Sequence, residues 1–382
     1  MFIMRIAYCI SSIGNSGGVE RVLSTKINYL VETFDYEVHV IVGGMQPNDL
    51  FYSFSDKIRF HYLDICFIDL KPWNLIIYNK IIKQYHLKLA GLLYKIRPDI
   101  TVSTFDNEAS FLYKINDGSK KVLEFHFTKR YLYHLASALK NDRFRLIRKI
   151  WLHYLQKREE KIAAHYDHIV LLTERDKQLW GGGDKFTVIP NPLSFVTEQN
   201  ASLENELIVS MGRVVLPKGF QYLLQAFNLL HEKYPGWRVF IYGDGQDREL
   251  LQKEINVLSL QDYFIIKTPV QQVESVMMDA SLFVLPSLYD GFGLVLTEAM
   301  VCGVPCVAFD CECGPSEIIS DGEDGLLVET RNVQVLADAM ERLMQDVHLR
   351  KKMGGKAKQN VMRYHIHSVM VQWNVFFRNI IN

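Results

Sequence analysis

Apolar positions fall in short blocks separated by polar turns. Runs rich in apolar and β-branched residues recur at Met4–Ile10, Glu37–Val42, Ile58–Leu63, Asp99–Ser103, Lys121–Phe125, Asp167–Thr173 and Phe186–Ile189. They recur again at Leu207–Met211, Arg238–Tyr242, Tyr263–Lys267, Leu282–Leu285, Cys306–Phe309 and Leu326–Val328. Runs of this length without strict alternation predict strands buried on both faces of a parallel sheet. Between them the spacing turns helical. Val22, Leu23, Ile27 and Leu30 share one face of a helix from about Val19. Further helices are expected at 76–96, after Gly219 through His231, at Leu294–Val301, and from Val333 and Leu349. A last one, Ser368–Ile381, carries Val369, Trp373, Phe376, Phe377 and Ile380 on one side. Alternating strands and helices predict an α/β fold with Rossmann-like parallel sheets. A chain of 382 residues suits two such domains. Pro190-Asn191-Pro192 ends the first series, since neither proline continues a helix or a central strand. The mostly polar 193–205 reads as the linker between a domain over 1–192 and one over 206–365, with 366–382 as a terminal helix.

The densest chemistry lies in Ser281–Ile319, a strand, a turn, a helix and a second strand. The turn Asp290-Gly291-Phe292-Gly293 follows a predicted strand, where open α/β sheets place their ligands. Gly291 and Gly293 allow close approach of the backbone, and the helix that follows presents free amides to phosphate or partial negative charge. Asp290 and Glu298 are carboxylates able to accept hydrogen bonds from vicinal hydroxyls, which suits a ligand part sugar and part ribose. Read alone, the stretch is equally a capped strand-turn-helix with a solvated glutamate. Three further strand ends carry candidates. Arg213 and Lys218 flank a strand-to-helix turn and can converge on one diphosphate, a planar fork beside a point charge. His126 closes the strand at 121–125. Gly14, Gly17 and Gly18 lie in the first strand-to-helix loop, in a spacing that is not Gly-x-Gly-x-x-Gly, so a nicotinamide dehydrogenase is disfavoured.

Together these residues resemble the retaining glycosyltransferases of family 4, whose signature is Glu-x7-Glu within Pro-Ser-x-x-Glu-Gly-Phe-Gly-Leu. Pro286, Ser287, Gly291, Phe292, Gly293, Leu294, Glu298, Ala299, Met300, Gly303, Pro305, Gly314, Pro315, Glu317 and Ile318 fall where that pattern has them. Gly212-Arg213 and Lys218-Gly219 match as well. Asp290 departs from it, standing one methylene short of the first glutamate. The resemblance implies the GT-B arrangement, two facing Rossmann-like domains with the site in the cleft, and a terminal helix that crosses back onto the first domain. It implies a nucleotide-sugar donor and transfer with retention of configuration. It gives Asp290 and His126 to the transferred sugar, Arg213 and Lys218 to the departing pyrophosphate and Glu298 to the ribose. Gly17 and Gly18, with Gly291, Phe292, Gly293 and Leu294, complete the donor site. Bacterial surface polysaccharide assembly, with a lipid-linked saccharide acceptor, is the implied setting. No Asp-x-Asp sits in a plausible loop, so no metal or other cofactor is expected.

Net charge is zero, which gives no general attraction to nucleic acid. The six cysteines lack zinc spacing and mostly fall in predicted core elements, consistent with a reduced, cytoplasmic chain. The N-terminal stretch reads as a first strand and not a signal peptide, and no window reaches the ~18 apolar residues of a membrane span. One segment is strongly basic: residues 128–161 hold ten lysines and arginines against three acidic residues, a local charge of +7. Phe144, Ile147, Ile150, Trp151, Tyr154 and Leu155 follow helical spacing within it. A basic amphipathic helix is expected to lie on an anionic membrane surface, peripheral to its inner face, unless its apolar stripe packs on the first domain. Two other readings share the fold: a sugar-nucleotide epimerase and a non-catalytic nucleotide-sugar-binding protein.

Overall fold

Alternation along single strands builds each half as three layers. In β1 (Arg5–Ile10), Ile6, Tyr8 and Ile10 belong to one apolar layer, and Ala7 and Cys9 to the opposite one. The computed structural model describes residues 3–14, 17–66, 75–138 and 145–381. In chain order, β1 is followed by α1 (Gly18–Thr33), β2 (Glu37–Val42), β3 (Arg59–Tyr62), α2 (Leu75–Ile96), β4 (Ile100–Ser103) and β5 (Lys120–Glu124). Then come α3 (Tyr131–Ala138), α4 (Arg145–Ala163), β6 (His168–Leu171), α5 (Glu174–Trp180) and β7 (Phe186–Val188). The second half runs β8 (Leu207–Met211), α6 (Phe220–Asn228), β9 (Arg238–Tyr242), α7 (Arg248–Val257), β10 (Phe264–Lys267) and α8 (Val273–Asp279). It continues with β11 (Leu282–Leu285), α9 (Leu294–Val301), β12 (Cys306–Phe309), α10 (Pro315–Ile318), β13 (Gly325–Val328), α11 (Val333–Gln345), α12 (Val347–Val361) and α13 (Ile366–Ile381).

The strands form two all-parallel sheets, ordered β3-β2-β1-β4-β5-β6-β7 and β10-β9-β8-β11-β12-β13. Each order reverses once, beside β1 in the first sheet and beside β8 in the second. Crevices at the carboxyl ends of strands form at such reversals. The loops after β1, β8 and β11, all singled out in the sequence, therefore border these crevices.

The terminal helix does not complete the second half. Val369, Met370, Trp373, Phe376, Phe377 and Ile380 of α13 enter the apolar layer of the first sheet with Ile6, Tyr8, Leu23 and Ile27. Tyr36 adds a hydroxyl bond to Asn374 at 2.6 Å. The connecting segment 193–205 is also less loose than its polarity suggests. Leu193, Ala201 and Leu203 are buried in the second half's core, and the Leu193 and Ala201 amides donate to Tyr364 and Cys302. Few apolar side chains suffice here, because each lands on an existing apolar layer.

Two helical expectations change. The helix after Gly219 ends at Asn228, and turns carry the chain through His231. The basic segment holds two helices, α3 and α4; Lys140, Asp142, Arg143 and Phe144 lie outside the described residues. Within α4, Ile147, Ile150, Trp151 and Tyr154 are 55–64% exposed. The opposite face, through Leu152 and Leu155, packs on Leu132 and Tyr131 of α3. The apolar stripe therefore faces outward. The packed face is secured by Tyr131 donating to Glu159 at 2.7 Å.

Under the carboxyl end of the first sheet, Glu108 is fully buried and accepts from Ser103 at 2.7 Å. Loss of water, and then the neighbouring Asp106, push its carboxyl up to about 8 from an ordinary 4.5. The folded chain thus holds a proton there that the unfolded chain releases above about pH 4.5. Stability falls as pH rises through that window, until the folded group ionises near 8. Glu108→Gln, a neutral isostere of the protonated acid, should flatten the fall of Tm between pH 5 and 8 and raise Tm at the alkaline end. Unfolding followed by calorimetry across that range checks this; parallel curves for both proteins would contradict it.

Candidate functional site

The donor-side wall grows from β11 and β8. β11 ends at Leu285, and Pro286 and Ser287 begin the loop that leads to α9. Leu288 donates its amide to the Pro217 carbonyl at 2.8 Å, stitching this loop to the turn that carries Lys218. Lys218 closes the contact by donating from Nζ to Asp290 Oδ2 at 2.7 Å, with both side chains partly buried. The lysine stem also lies against Gly212. Arg213, one residue on, is exposed and makes no ion pair among the described residues. Two expected diphosphate ligands thus border one loop, with Lys218 paired to Asp290, which stands where the resembled pattern has a glutamate.

Gly293 caps α9 with φ 99°, the left-handed conformation that glycine adopts without steric cost. Gly291 has a different reason. A side chain there would overlap the backbone carbonyl of His126, so the absence of Cβ lets the two halves touch. Phe292 turns inward, buried edge-on against Tyr364, and Leu294 begins the helix.

Glu298 sits on the second turn of α9 with 0% side-chain exposure. Its partner comes from the other half: Arg21 of α1 ion-pairs through Nη1 with Glu298 Oε1. Oε2 has no hydrogen-bond partner among the described residues. Burial opposes the charge on Arg21, but Glu298 and Tyr52 outweigh it and hold the guanidinium above its ordinary pKa. Expected to hold a ribose, Glu298 is instead occupied by a cation that sequence reasoning missed. Arg21 lies one turn into a helix, where a lone arginine reads as solvated surface, so only the tertiary fold shows its partner. Gly17 caps that helix and Gly18 opens it, while Asn15 and Ser16 of the same loop lie outside the described residues. The Glu20 carboxylate lies against Gly17, and Gly18 faces open space.

His126 lies just beyond β5 with 5% side-chain exposure, and its Nε2 is 3.4 Å from Glu124 Oε1. Loss of water dominates its titration and lowers its pKa, with Glu124 opposing and Lys26 reinforcing. At neutral pH the ring is uncharged. Around this contact the halves meet through further polar links. Glu312 receives Arg130 at 2.9 Å and His134 at 2.8 Å. His134 stacks on Tyr289 at 5.5 Å, next to Asp290. Arg175 reaches Asp310 at 3.0 Å and also contacts Ser316. Among the described residues no cluster of histidine, cysteine or acidic side chains could hold a metal ion. Five of the cysteines are buried thiols and Cys66 is exposed.

Residues 195–360 match the family described as "Glycosyl transferases group 1". An uncharacterized glycosyltransferase of Haemophilus influenzae is 29% identical over 97% of this chain and 98% of its own length. A Campylobacter jejuni alpha-1,4-N-acetyl-D-galactosaminyltransferase, named for a diphospho-undecaprenol-linked saccharide, is 25% identical over 97% of each. Among solved structures, Staphylococcus aureus TarM, crystallised as a variant with fondaparinux, alpha-GlcNAc-glycerol and UDP, superposes with a TM-score of 0.78. That likeness spans 98% of this chain and 100% of the other at 16% identity. Residues 195–360 thus match a group 1 glycosyltransferase domain, relatives aligned over nearly the full length are named as glycosyltransferases, and the chain has the two-sheet frame of the GT-B fold.

Proposed function

We propose that this glycosyltransferase works with retention of configuration and without a metal ion. It moves a hexosyl or N-acetylhexosaminyl residue from a nucleotide-sugar to a lipid-linked saccharide in surface polysaccharide assembly. One observation carries the reading. Lys218, Asp290 and the 291–294 backbone form a continuous wall, and His126 of the opposite half touches it at Gly291. A sugar held there would have a carboxylate, helix amides and a neutral imidazole around it, with two cations beside its diphosphate.

The chemistry follows from these groups. As the bond from anomeric carbon to phosphate oxygen lengthens, negative charge gathers on the diphosphate. Arg213, Lys218 and the amides at the start of α9 stabilise it. A diphosphate competes with Asp290 for Lys218, and its arrival releases that carboxylate to accept from sugar hydroxyls. Asp290 reaches one methylene less far than glutamate, and the lysine sets where it rests. Glu298 accepts the ribose hydroxyls once Arg21 withdraws, so donor entry exchanges a protein ion pair for ligand hydrogen bonds. The acceptor enters from the first half, past the loop at 14–18.

The outward stripe of α4 supports a membrane-linked acceptor. Apolar side chains at Ile147, Ile150, Trp151 and Tyr154 share a helix with exposed Arg148, Lys149, Lys157 and Arg158. Apolar side chains flanked by cations suit the headgroup layer of an anionic membrane. No helix among the described residues is long and apolar enough to cross a membrane. The diphospho-undecaprenol in the name of the Campylobacter relative is in keeping with such an acceptor.

Lys218→Ala and Arg213→Ala should each lower turnover roughly 10²–10³-fold while the protein stays folded. The measurement is transfer or hydrolysis with the donor that most stabilises the protein in a thermal-shift panel of nucleotide-sugars, with chelator present. Wild-type rates in either variant remove the clamp, and activity only with added Mg²⁺ or Mn²⁺ removes metal independence. Arg21→Ala leaves Glu298 buried without a counter-charge, so the halves should part. Small-angle scattering should show a larger radius of gyration, and an unchanged value would mean that the pair does not hold the cleft. Ile150→Asp with Trp151→Asp should abolish flotation with anionic liposomes at low salt. If wild-type protein does not float, the membrane assignment fails.

A further inference from the structure

The first half contains a buried ion pair for which the transfer chemistry described above has no use. Lys26 on α1 and Glu124 at the end of β5 are each 1% exposed in their side chains, and Lys26 Nζ donates to Glu124 Oε2. Aromatic faces cover the ammonium. Its Nζ is 4.2 Å from the ring centroid of Trp373 and 4.9 Å from that of Tyr8. Trp373 belongs to α13, so the last helix of the chain closes this pocket. Such a pair is costly to bury. Two charges lose their water, and apolar residues of similar volume often serve stability as well or better. A sheet end rich in valine and leucine would pack without it.

The second oxygen of Glu124 faces His126. Its Oε1 is 3.4 Å from His126 Nε2, and a few tenths of an ångström close this to a charge-assisted hydrogen bond. A neutral imidazole carries one proton, and the hydrogen bond made by one nitrogen decides which. An acceptor at Nε2 puts the proton there and leaves Nδ1 with a lone pair. Burial keeps the ring neutral, so this choice of tautomer is available at physiological pH.

We propose that Glu124 and Lys26 are positioning residues for His126: Glu124 accepts from Nε2, fixing the tautomer whose Nδ1 accepts a hydroxyl of the donor sugar, and Lys26 balances Glu124. The inference rests on the assignment of this cleft as the donor site. It gives the crossing-back helix a chemical part beyond packing, since Trp373 shields the cation that holds the carboxylate in place. The same geometry explains why the sequence carries a lysine inside an otherwise apolar face of α1.

The test uses full-length protein with isotope-labelled histidine. Imidazole nitrogen shifts of His126 in the donor-free wild type should show the proton on Nε2. In the double variant Lys26→Met/Glu124→Leu, an apolar exchange that keeps the fold, the two tautomers should mix. Lys26→Met/Glu124→Gln retains a neutral acceptor and should keep most of the Nε2–H form. With donor, the Met/Leu variant should raise KM about tenfold with kcat little changed, the loss of roughly one hydrogen bond to bound sugar. The increase should vanish when the same pair is exchanged in a His126→Ala background. A proton on Nδ1 in the wild type, or an unchanged tautomer in the Met/Leu variant, overturns the proposal. So does a KM increase that persists without His126. If no nucleotide-sugar is turned over by the wild type, the transferase reading of the cleft fails, while the tautomer measurement still decides the positioning role.

Discussion

A carboxylate without water dictates the geometry of this molecule. Glu298 is fully enclosed on α9 and is matched by Arg21 of the opposite half, with one of its oxygens unpaired among the described residues. A buried charge missing its partner costs several kcal/mol, so this ion pair adds to the polar links through Glu312, Asp310 and Ser316 that join the two halves. Lys218 and Asp290 repeat the theme within one half. Both pairs are substitutes: each joins a group suited to a sugar nucleotide with a counter-charge from the protein. Under the proposed function, a sugar nucleotide would compete with both of these protein ion pairs.

Legibility in the sequence followed the range of the interaction. The stretch from Ser281 to Ile319 was readable almost to the residue, because β11 and β12 are continuous apolar runs and α9 a mostly apolar one, cut by Pro286, Gly293 and Gly303-Val304-Pro305. Buried parallel strands have no polar face to blur their ends. α5, α7 and α8 went unread, since each is short and contributes only one to three buried side chains. The candidates Lys218, Asp290, Glu298 and His126 were found through local motifs. Arg21, Lys26 and Glu124 were not, because Arg21 and Glu298 lie 277 residues apart, and Lys26 and Glu124 98. Each of these charges looks like solvated surface when its own helix or strand is read alone. The linker misled for the related reason that Leu193, Ala201 and Leu203 are too widely spaced to form a pattern.

α4 shows how an amphipathic pattern can be right while its orientation stays open. The spacing of Phe144, Ile147, Ile150, Trp151, Tyr154 and Leu155 predicted one stripe, but Leu155 turns inward while Ile147, Ile150, Trp151 and Tyr154 stay exposed, and Phe144 lies outside the described residues. Leu152 and Leu155 take the contact with α3, helped by the Tyr131–Glu159 bond, and the longer stripe is left outside. The hairpin of α3 and α4 also touches the opposite half through Arg130 and His134 on Glu312. One small unit thus borders both the outer surface and the cleft.

The crossing of α13 has a consequence for how the chain is made. A ribosome delivers the strands of the first sheet long before residues 366–381, and domains of a nascent chain commonly fold in the order they emerge. Here the apolar layer over Ile6, Tyr8 and Ile27 has no cover until the final helix arrives, and the ammonium of Lys26 has no aromatic lid. The amino-terminal half must therefore wait, incomplete, through synthesis of the entire second half.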